Sequence, residues 1–365
     1  MLFYELIQVA LGNRDGLSRV PSDREWLAMY EESEGQAIPG ILLAGLERLR
    51  ANTNGLDYTN RFPQELLLQW IGISEQIRQI NRDLTERCIE LQKKLSGTDV
   101  RTSILKGQGI AMCYPAELRG LRQSGDIDIF VDCGFNKALS TANNAGFAVE
   151  GWDYKHAHLS VWEDTEVEMH YRVEVLLNLW KNRKLQKWFK EHTEEIFGHT
   201  DNADYTDGMV TPSVEFNVFY ILLHIYRHFL YEGVGLRQII DYYMVLCSVH
   251  DSGFMVQGYV DAVREFGMME FARGLMWMMK EALGLPREWM LWEPDEKEGR
   301  FILDEVMAGG NFGHHDQRLS HGGGKWNAVK QVCRHNWHLM SHYPADVVWA
   351  PVWFVWHKCW KILNS

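Results

Sequence analysis

The sequence predicts an α+β fold, with a small mixed-sheet domain flanked by helical regions. Three observations predict it. Apolar residues recur at three- and four-residue spacing up to about Leu95 and again from about Pro212, the period of an α-helix. Between them lies Gly125-Asp126-Ile127-Asp128-Ile129-Phe130-Val131, a β-branched run with alternating character. Two further runs, His158 to Trp162 and Glu166 to Tyr171, flank the polar turn Glu163-Asp164-Thr165 and read as a hairpin. The expected organisation is an N-terminal helical region over 1–97, an α/β domain over 98–200 and a C-terminal helical domain over 210–365.

The clearest early helix is Ser74 to Leu95. Ile77, Ile80, Leu84, Leu91 and Leu95 mark its apolar face, and Ser96-Gly97 stops it. Val100 to Leu105 reads as a short strand, followed by the turn Lys106-Gly107 and a short helix ending near Tyr114-Pro115. Asn136 to Ala145 reads as a helix closed by Gly146. The order strand, helix, strand, helix, hairpin gives a small mixed sheet with helices packed against it. Thr211-Pro212 then reads as a helix start. Val214 to Tyr231 and Leu236 to Val249 are predicted helices joined by Glu232-Gly233-Val234-Gly235, and Asp261 to Leu283 is another. Ala308 to Gly324, rich in Gly and His, reads as a loop.

Asp and Glu number 49 against 37 Lys and Arg, a formal charge of -12. That balance argues against a nucleic-acid partner, which needs a basic surface, but leaves room for a local patch that binds one nucleotide. Cys88, Cys113, Cys133, Cys247, Cys333 and Cys359 are scattered without ligand spacing, as free thiols of a reducing compartment are. The N-terminal stretch carries Glu5 and no basic region, so it does not read as a signal peptide. No apolar run reaches membrane-spanning length; Val347 to Trp360 is interrupted by Pro351, His357 and Lys358. The expected setting is cytoplasmic, with no membrane partner.

Alternation puts Asp126 and Asp128 on one face of their strand and turns Ile127 and Ile129 into the core. Two carboxylates on one face repel unless something neutralises them, and Mg²⁺ (or Mn²⁺) suits carboxylate oxygens together with substrate phosphates. Gly125 would let a triphosphate approach the backbone. On the later strand, Glu166, Glu168 and His170 share a face. If the two strands pair, one of these carboxylates completes a metal triad, with Glu168 the expected member and Glu166 the fallback. If the acids repel each other in the metal-free protein, neutralising Asp128 should stabilise it slightly.

A spaced set of residues then resembles a known family. Ile104-Leu105-Lys106-Gly107, Tyr114-Pro115, Arg122 and the Gly125 to Val131 run look like the uncharacterised bacterial nucleotidyltransferase family of the polymerase-β-like superfamily. Glu168-Met169-His170-Tyr171-Arg172 is similar to that family's later acidic-x-His-aromatic-Arg strand. His224, His228, Gly235, Leu236, Arg237 and Asp241 match its helical segment. The resemblance covers roughly Ile104 to Leu246. It implies a nucleoside triphosphate over the sheet, held by Mg²⁺ and the turn at Gly107. Asp126 and Asp128 would bind the metals, and Glu168 would bind a second metal or activate the acceptor hydroxyl. Two metals polarise the entering and leaving oxygens of such a transfer. Lys106-Gly107 stands where the wider superfamily has Gly-Ser or Gly-Gly.

The implied activity is metal-dependent transfer of a nucleotidyl group to an unidentified acceptor: a small molecule, a sugar or a protein side chain. The alternative is a catalytically silent nucleotide-binding or protein-interaction module of the same fold. Lys106, Gly107, Arg122, Gly125, His224, His228, Arg237 and Asp241 are the expected nucleotide-side residues. His224 and His228 lie one turn apart without the intervening Glu of a zinc protease, and read as a polar face lining a cleft. Arg237 and Asp241 read as a helix-face ion pair, with Arg237 alternatively reaching a phosphate. His156-Ala157-His158 reads as a solvated strand start in preference to a ligand pair. Gly322-Gly323-Gly324-Lys325 lacks phosphate-loop spacing. The aromatic stretch Trp349 to Trp360 is expected to pack on the core.

Overall fold

Four helices open the chain: α1 (Leu2–Ala10), α2 (Asp23–Gly35), α3 (Pro39–Ala51) and the long α4 (Gln64–Ser96). The computed structural model describes residues 1–51, 62–198, 208–253, 255–310 and 338–364. The predicted helix ending at Leu95 is the second part of α4, which begins ten residues before Ser74. Next come β1 (Thr102–Ile104), α5 (Gln108–Ala111), α6 (Ala116–Arg119), β2 (Asp126–Val131) and α7 (Phe135–Asn144). The hairpin region follows as β3 (Ala148–Trp152), β4 (His156–Trp162) and β5 (Thr165–His170). The chain then turns helical: α8 (Leu179–Glu191), α9 (Thr193–Ile196), α10 (Val214–Tyr231), α11 (Leu236–Ser252), α12 (Gln257–Glu265), α13 (Met269–Leu283), α14 (Glu296–Gly309), α15 (Pro344–Val347) and α16 (Trp349–Asn364).

The five strands form one mixed sheet in the order β1-β2-β5-β4-β3. β2 and β5 run parallel at its centre and the other neighbours are antiparallel. A parallel pair needs a crossover, which α7, β3 and β4 supply. Ile127, Ile129 and Val131 share a core with Val167 and Met169 of β5, with Leu84, Cys88, Leu91 and Leu95 of α4, and with Ala138 and Ala142 of α7. A second apolar core runs through the N-terminal helices and through α10, α11 and α13, and takes in Phe130. The sheet therefore has one apolar face and one face turned toward α10 and α11, which carries Asp128.

The turn after β1 is tight. Gly107 has φ +55°, a conformation that L side chains rarely adopt. A Cβ on Gly109 would press into the Ile104 carbonyl. Gly109→Ala is therefore expected to cost about 1–3 kcal/mol by forcing the helix start away from β1. Urea unfolding checks this, and a variant as stable as the wild type would show that the turn yields freely.

Several sequence expectations are corrected. β3 was not anticipated; it is an edge strand whose residues are only partly buried and which contains Gly151. α8 was also missed, because its charge-rich sequence buries only Asn182, Leu185 and Phe189. Asp261 to Leu283 is not one helix: it breaks at Gly267, whose φ is +77°. The cap of α10 is Ser213, whose side chain accepts a hydrogen bond from the Phe216 N–H, and not Thr211. The C-terminal stretch does not enter the core: α16 has no buried residue. Instead, Trp353, Trp356 and Trp360 set their ring edges against Tyr154, and Trp360 also against Trp152 and Phe135. Most of the glycine- and histidine-rich segment, with Gly322 to Lys325 and Cys333, lies outside the described residues. Among those described, the other five cysteines are free, and no helix is long and apolar enough to cross a membrane.

Candidate active site

Register builds the floor of the site. Asp128 on β2 stands beside Glu168 on β5, which stands beside His158 on β4. One row along, Phe130, His170 and His156 align in the same way, and Asp126 stands beside Glu166. Alternation thus brings acids from β2 and β5 and histidines from β4 and β5 onto one surface. This floor belongs to a cleft of about 400 Å³, walled by α10 and α11.

Asp128 is buried, yet it is not bare. Its Oδ1 lies 2.9 Å from Lys106 Nζ and 2.8 Å from His170 Nε2. His170 Nε2 also lies 3.2 Å from Glu168 Oε2, so one imidazole ties the two carboxylates together. Burial pushes the Asp128 carboxyl up, but Lys106 and His170 outweigh it and hold it well below the usual range. Burial pulls Lys106 down, but the charges of Asp128, Asp126 and Glu168 leave it raised. His170 is likewise pulled down by burial and left raised by its bonds to Asp128 and Glu168. Burial raises Glu168, and the His170 bond brings it below its ordinary value. Asp128, Glu168 and His170 offer ligand atoms within 4.8 Å of one another. Asp126 lines the same cleft but is not a member of that group. Gly125 is exposed and does not line the cleft, and an added Cβ there would meet open space.

The nucleotide-side residues named from the sequence, Gly125 excepted, all line this cleft. Asp241 is bound two-pronged by Arg122, at 2.7 Å from Nε and 2.8 Å from Nη2, and accepts from the Tyr114 hydroxyl at 2.7 Å. Its main partner is therefore Arg122, on the segment leading into β2, in place of the expected helix-face pair. This link fixes α11 against the start of β2. Arg237 donates to the Gln123 carbonyl at 2.9 Å on the same wall. His224 Nδ1 lies 3.0 Å from Glu174 Oε2, and His228 Nδ1 lies 2.7 Å from Glu232 Oε2.

Asp153, Lys155, Arg227 and Glu232 line the cleft but were not named as site residues from the sequence, and neither was Glu174 behind them. Glu174 is fully buried and gathers His224, Lys155 Nζ at 3.5 Å and Arg227 Nε at 3.5 Å. Burial pushes the Glu174 carboxyl up, but Lys155 and Arg227 hold it well below the usual range. Burial and the neighbouring His228 push His224 well down. The missed signal was a lone acid inside the apolar run Val173-Glu174-Val175-Leu176-Leu177, where only a buried partner makes a charge tolerable. His156 was read as solvated, but it is buried beside His170, with ring centroids 5.0 Å apart. Burial and the His170 charge lower its pKa to about 4.

The site thus offers carboxylates on its floor and Lys106, Lys155, Arg122, Arg227 and Arg237 around them. That combination can hold a polyanion against a bound cation. Residues 22–284 match a family described as uncharacterised nucleotidyltransferase, and the chain belongs to it. No curated protein and no solved structure matches the chain.

Proposed function

We propose that this member of the nucleotidyltransferase family transfers a nucleotidyl group from a nucleoside triphosphate to an acceptor hydroxyl, using a divalent cation. The observation that carries the reading is the in-register pair Asp128 and Glu168 on the floor of a cleft ringed by cations. The donor set fits a hard cation, because Asp128 and Glu168 converge their carboxylate oxygens, Asp126 lines the same cleft, and Asp128 already draws Lys106 to itself. Mg²⁺ or Mn²⁺ held there would shield the phosphates and polarise the entering and leaving oxygens.

The chain's own residues do the rest. Lys106, freed from Asp128, reaches the triphosphate from the turn at Gly107. Arg237 faces the same phosphates, while Arg122 and Asp241 keep α11 docked on the sheet. The acceptor oxygen attacks the α-phosphorus, its proton passes to the Glu168 carboxylate and on to solvent, and pyrophosphate leaves. Glu168, on the β4 side of the floor, orients the acceptor hydroxyl. Small molecules, sugars and protein side chains are all acceptors of this class.

The contact of Lys106 with Asp128 favours a second reading, in which the ammonium permanently takes the cation's place and the protein only binds nucleotide. Calorimetry with a nucleoside triphosphate separates the two. The transferase reading expects affinity to fall about tenfold or more when Mg²⁺ is removed, a difference of about 1.4 kcal/mol or more. Equal affinity with and without Mg²⁺ would leave the silent module standing and remove the metal-dependent one.

A further inference from the structure

We infer that His156, His158 and Glu168 form a second cation site, suited to a first-row ion such as Mn²⁺, Co²⁺ or Zn²⁺ and unsuited to Mg²⁺. It shares Glu168 with the reading above but needs neither a nucleotide nor that activity. The three residues offer ligand atoms within 4.8 Å of one another. Strand geometry creates the group: His156 and His158 are two apart on β4, and His158 stands in register with Glu168 on β5.

The histidines are set as ligands are. His156 Nδ1 is buried, makes no hydrogen bond and lies 3.1 Å from Glu168 Oε2. Its other nitrogen faces Asp153 Oδ2 at 3.7 Å, the side from which a carboxylate braces a metal-bound imidazole. His158 Nδ1 lies 3.2 Å from Glu166 Oε1, which leaves its second nitrogen for an ion. The His158 side chain is 40% exposed, so an ion can enter from solvent. Two imidazoles and one carboxylate match the preferences of Mn²⁺ through Zn²⁺, whereas Mg²⁺ demands oxygen ligands. Glu168 also belongs to the group with Asp128 and His170, so ions on its two sides would share its carboxylate.

The test is a Co²⁺ titration of the full chain, followed by visible absorption, for the wild type, His158→Asn and Asp128→Asn. Thermal melting checks that each is folded. Wild type and Asp128→Asn should both develop the bands of nitrogen-ligated Co²⁺. His158→Asn should bind more weakly, by at least the roughly 10–100-fold that loss of an outer-shell partner alone costs. Equal Co²⁺ affinity in wild type and folded His158→Asn would overturn the proposal, as would no binding by wild type. Loss of the bands in Asp128→Asn would also overturn it, because the ion would then sit with the floor acids. Should His158→Asn not fold, pulsed electron paramagnetic resonance of the Mn²⁺-loaded wild type decides: couplings to two imidazole nitrogens support the site, and couplings to one or none refute it, because the group with Asp128 offers only His170. Nucleotidyl transfer without nitrogen-ligated Co²⁺ would sink this inference alone, and the converse would sink only the transferase reading.

Discussion

Asp128→Asn is expected to abolish nucleotidyl transfer and to lower the melting temperature. The activity loss should be at least about 10²–10³-fold, the scale set by removing one preorganised electrostatic group from an active site. Asn keeps the size of the side chain but loses the charge that would hold a cation and that now balances Lys106 and His170. The stability change reverses the expectation drawn from the sequence alone, in which two repelling acids gain by neutralising one. In the folded protein Asp128 Oδ1 takes both Lys106 and His170, so an Asn oxygen there can still accept from them but no longer offsets the charge of the lysine. A cost of about 1–3 kcal/mol follows, moderated because the Lys106 side chain is 15% exposed and can recover water. Labelled nucleoside triphosphates with a cell extract as acceptor source read the first effect, and melting with and without Mg²⁺ reads the second. Equal label incorporation by wild type and variant would exclude Asp128 from the chemistry. Mg²⁺-dependent stabilisation in the wild type, lost in the variant, would place the cation at this carboxylate.

Glu174→Ala is expected to cost about 3–5 kcal/mol, the range for removing one partner from a buried ion pair. The residue is fully buried, and His224, Lys155 and Arg227 all point their nitrogens at its two oxygens. Its removal strands them in a wall that water reaches poorly. Because the folded carboxyl titrates well below its ordinary 4.5, Glu174 contributes fully above that pH and less as pH falls toward the folded value. Urea unfolding across that acid range should therefore show the wild type and the variant converging as pH drops. A variant that unfolds with the wild type at neutral pH would show that the cluster is hydrated and carries little energy.

The parts of the fold that were legible had strong periods. α10 was readable residue for residue because apolar positions recur in every turn from Val214 to Tyr231. β2 was readable because acids alternate with Ile; its pairing with β5 was only a condition for the acidic triad, and the register supplies it. What escaped was structure specified by distant partners. β3 is held by β4 more than by its own pattern, and α8 is a polar helix with a narrow buried face. Of the cations around the cleft, Lys106, Arg122 and Arg237 were legible, and Lys155 and Arg227 were not. Lys155 sits in the turn before β4, and nothing local distinguishes it from a solvated lysine; only the burial of Glu174 gives it a role.

The parallel pairing of β2 with β5 also governs when the cleft can exist. His170 meets Asp128 across 42 positions of chain, and Arg122 meets Asp241 across 119. Neither contact can form until the whole crossover has been traversed, and each carries a loop-closure cost that rises by about 0.6 kcal/mol with every doubling of length. Local helices such as α4 and α10 have no such debt and can form early. A chain emerging from the ribosome would thus hold its β2 acids exposed and mutually repelling, with Lys106 nearby, until β5 has been made. It would gain the opposite wall only once Asp241 is free to meet Arg122. The site is among the last features to assemble, and interrupted synthesis would leave a sheet with its charges uncompensated.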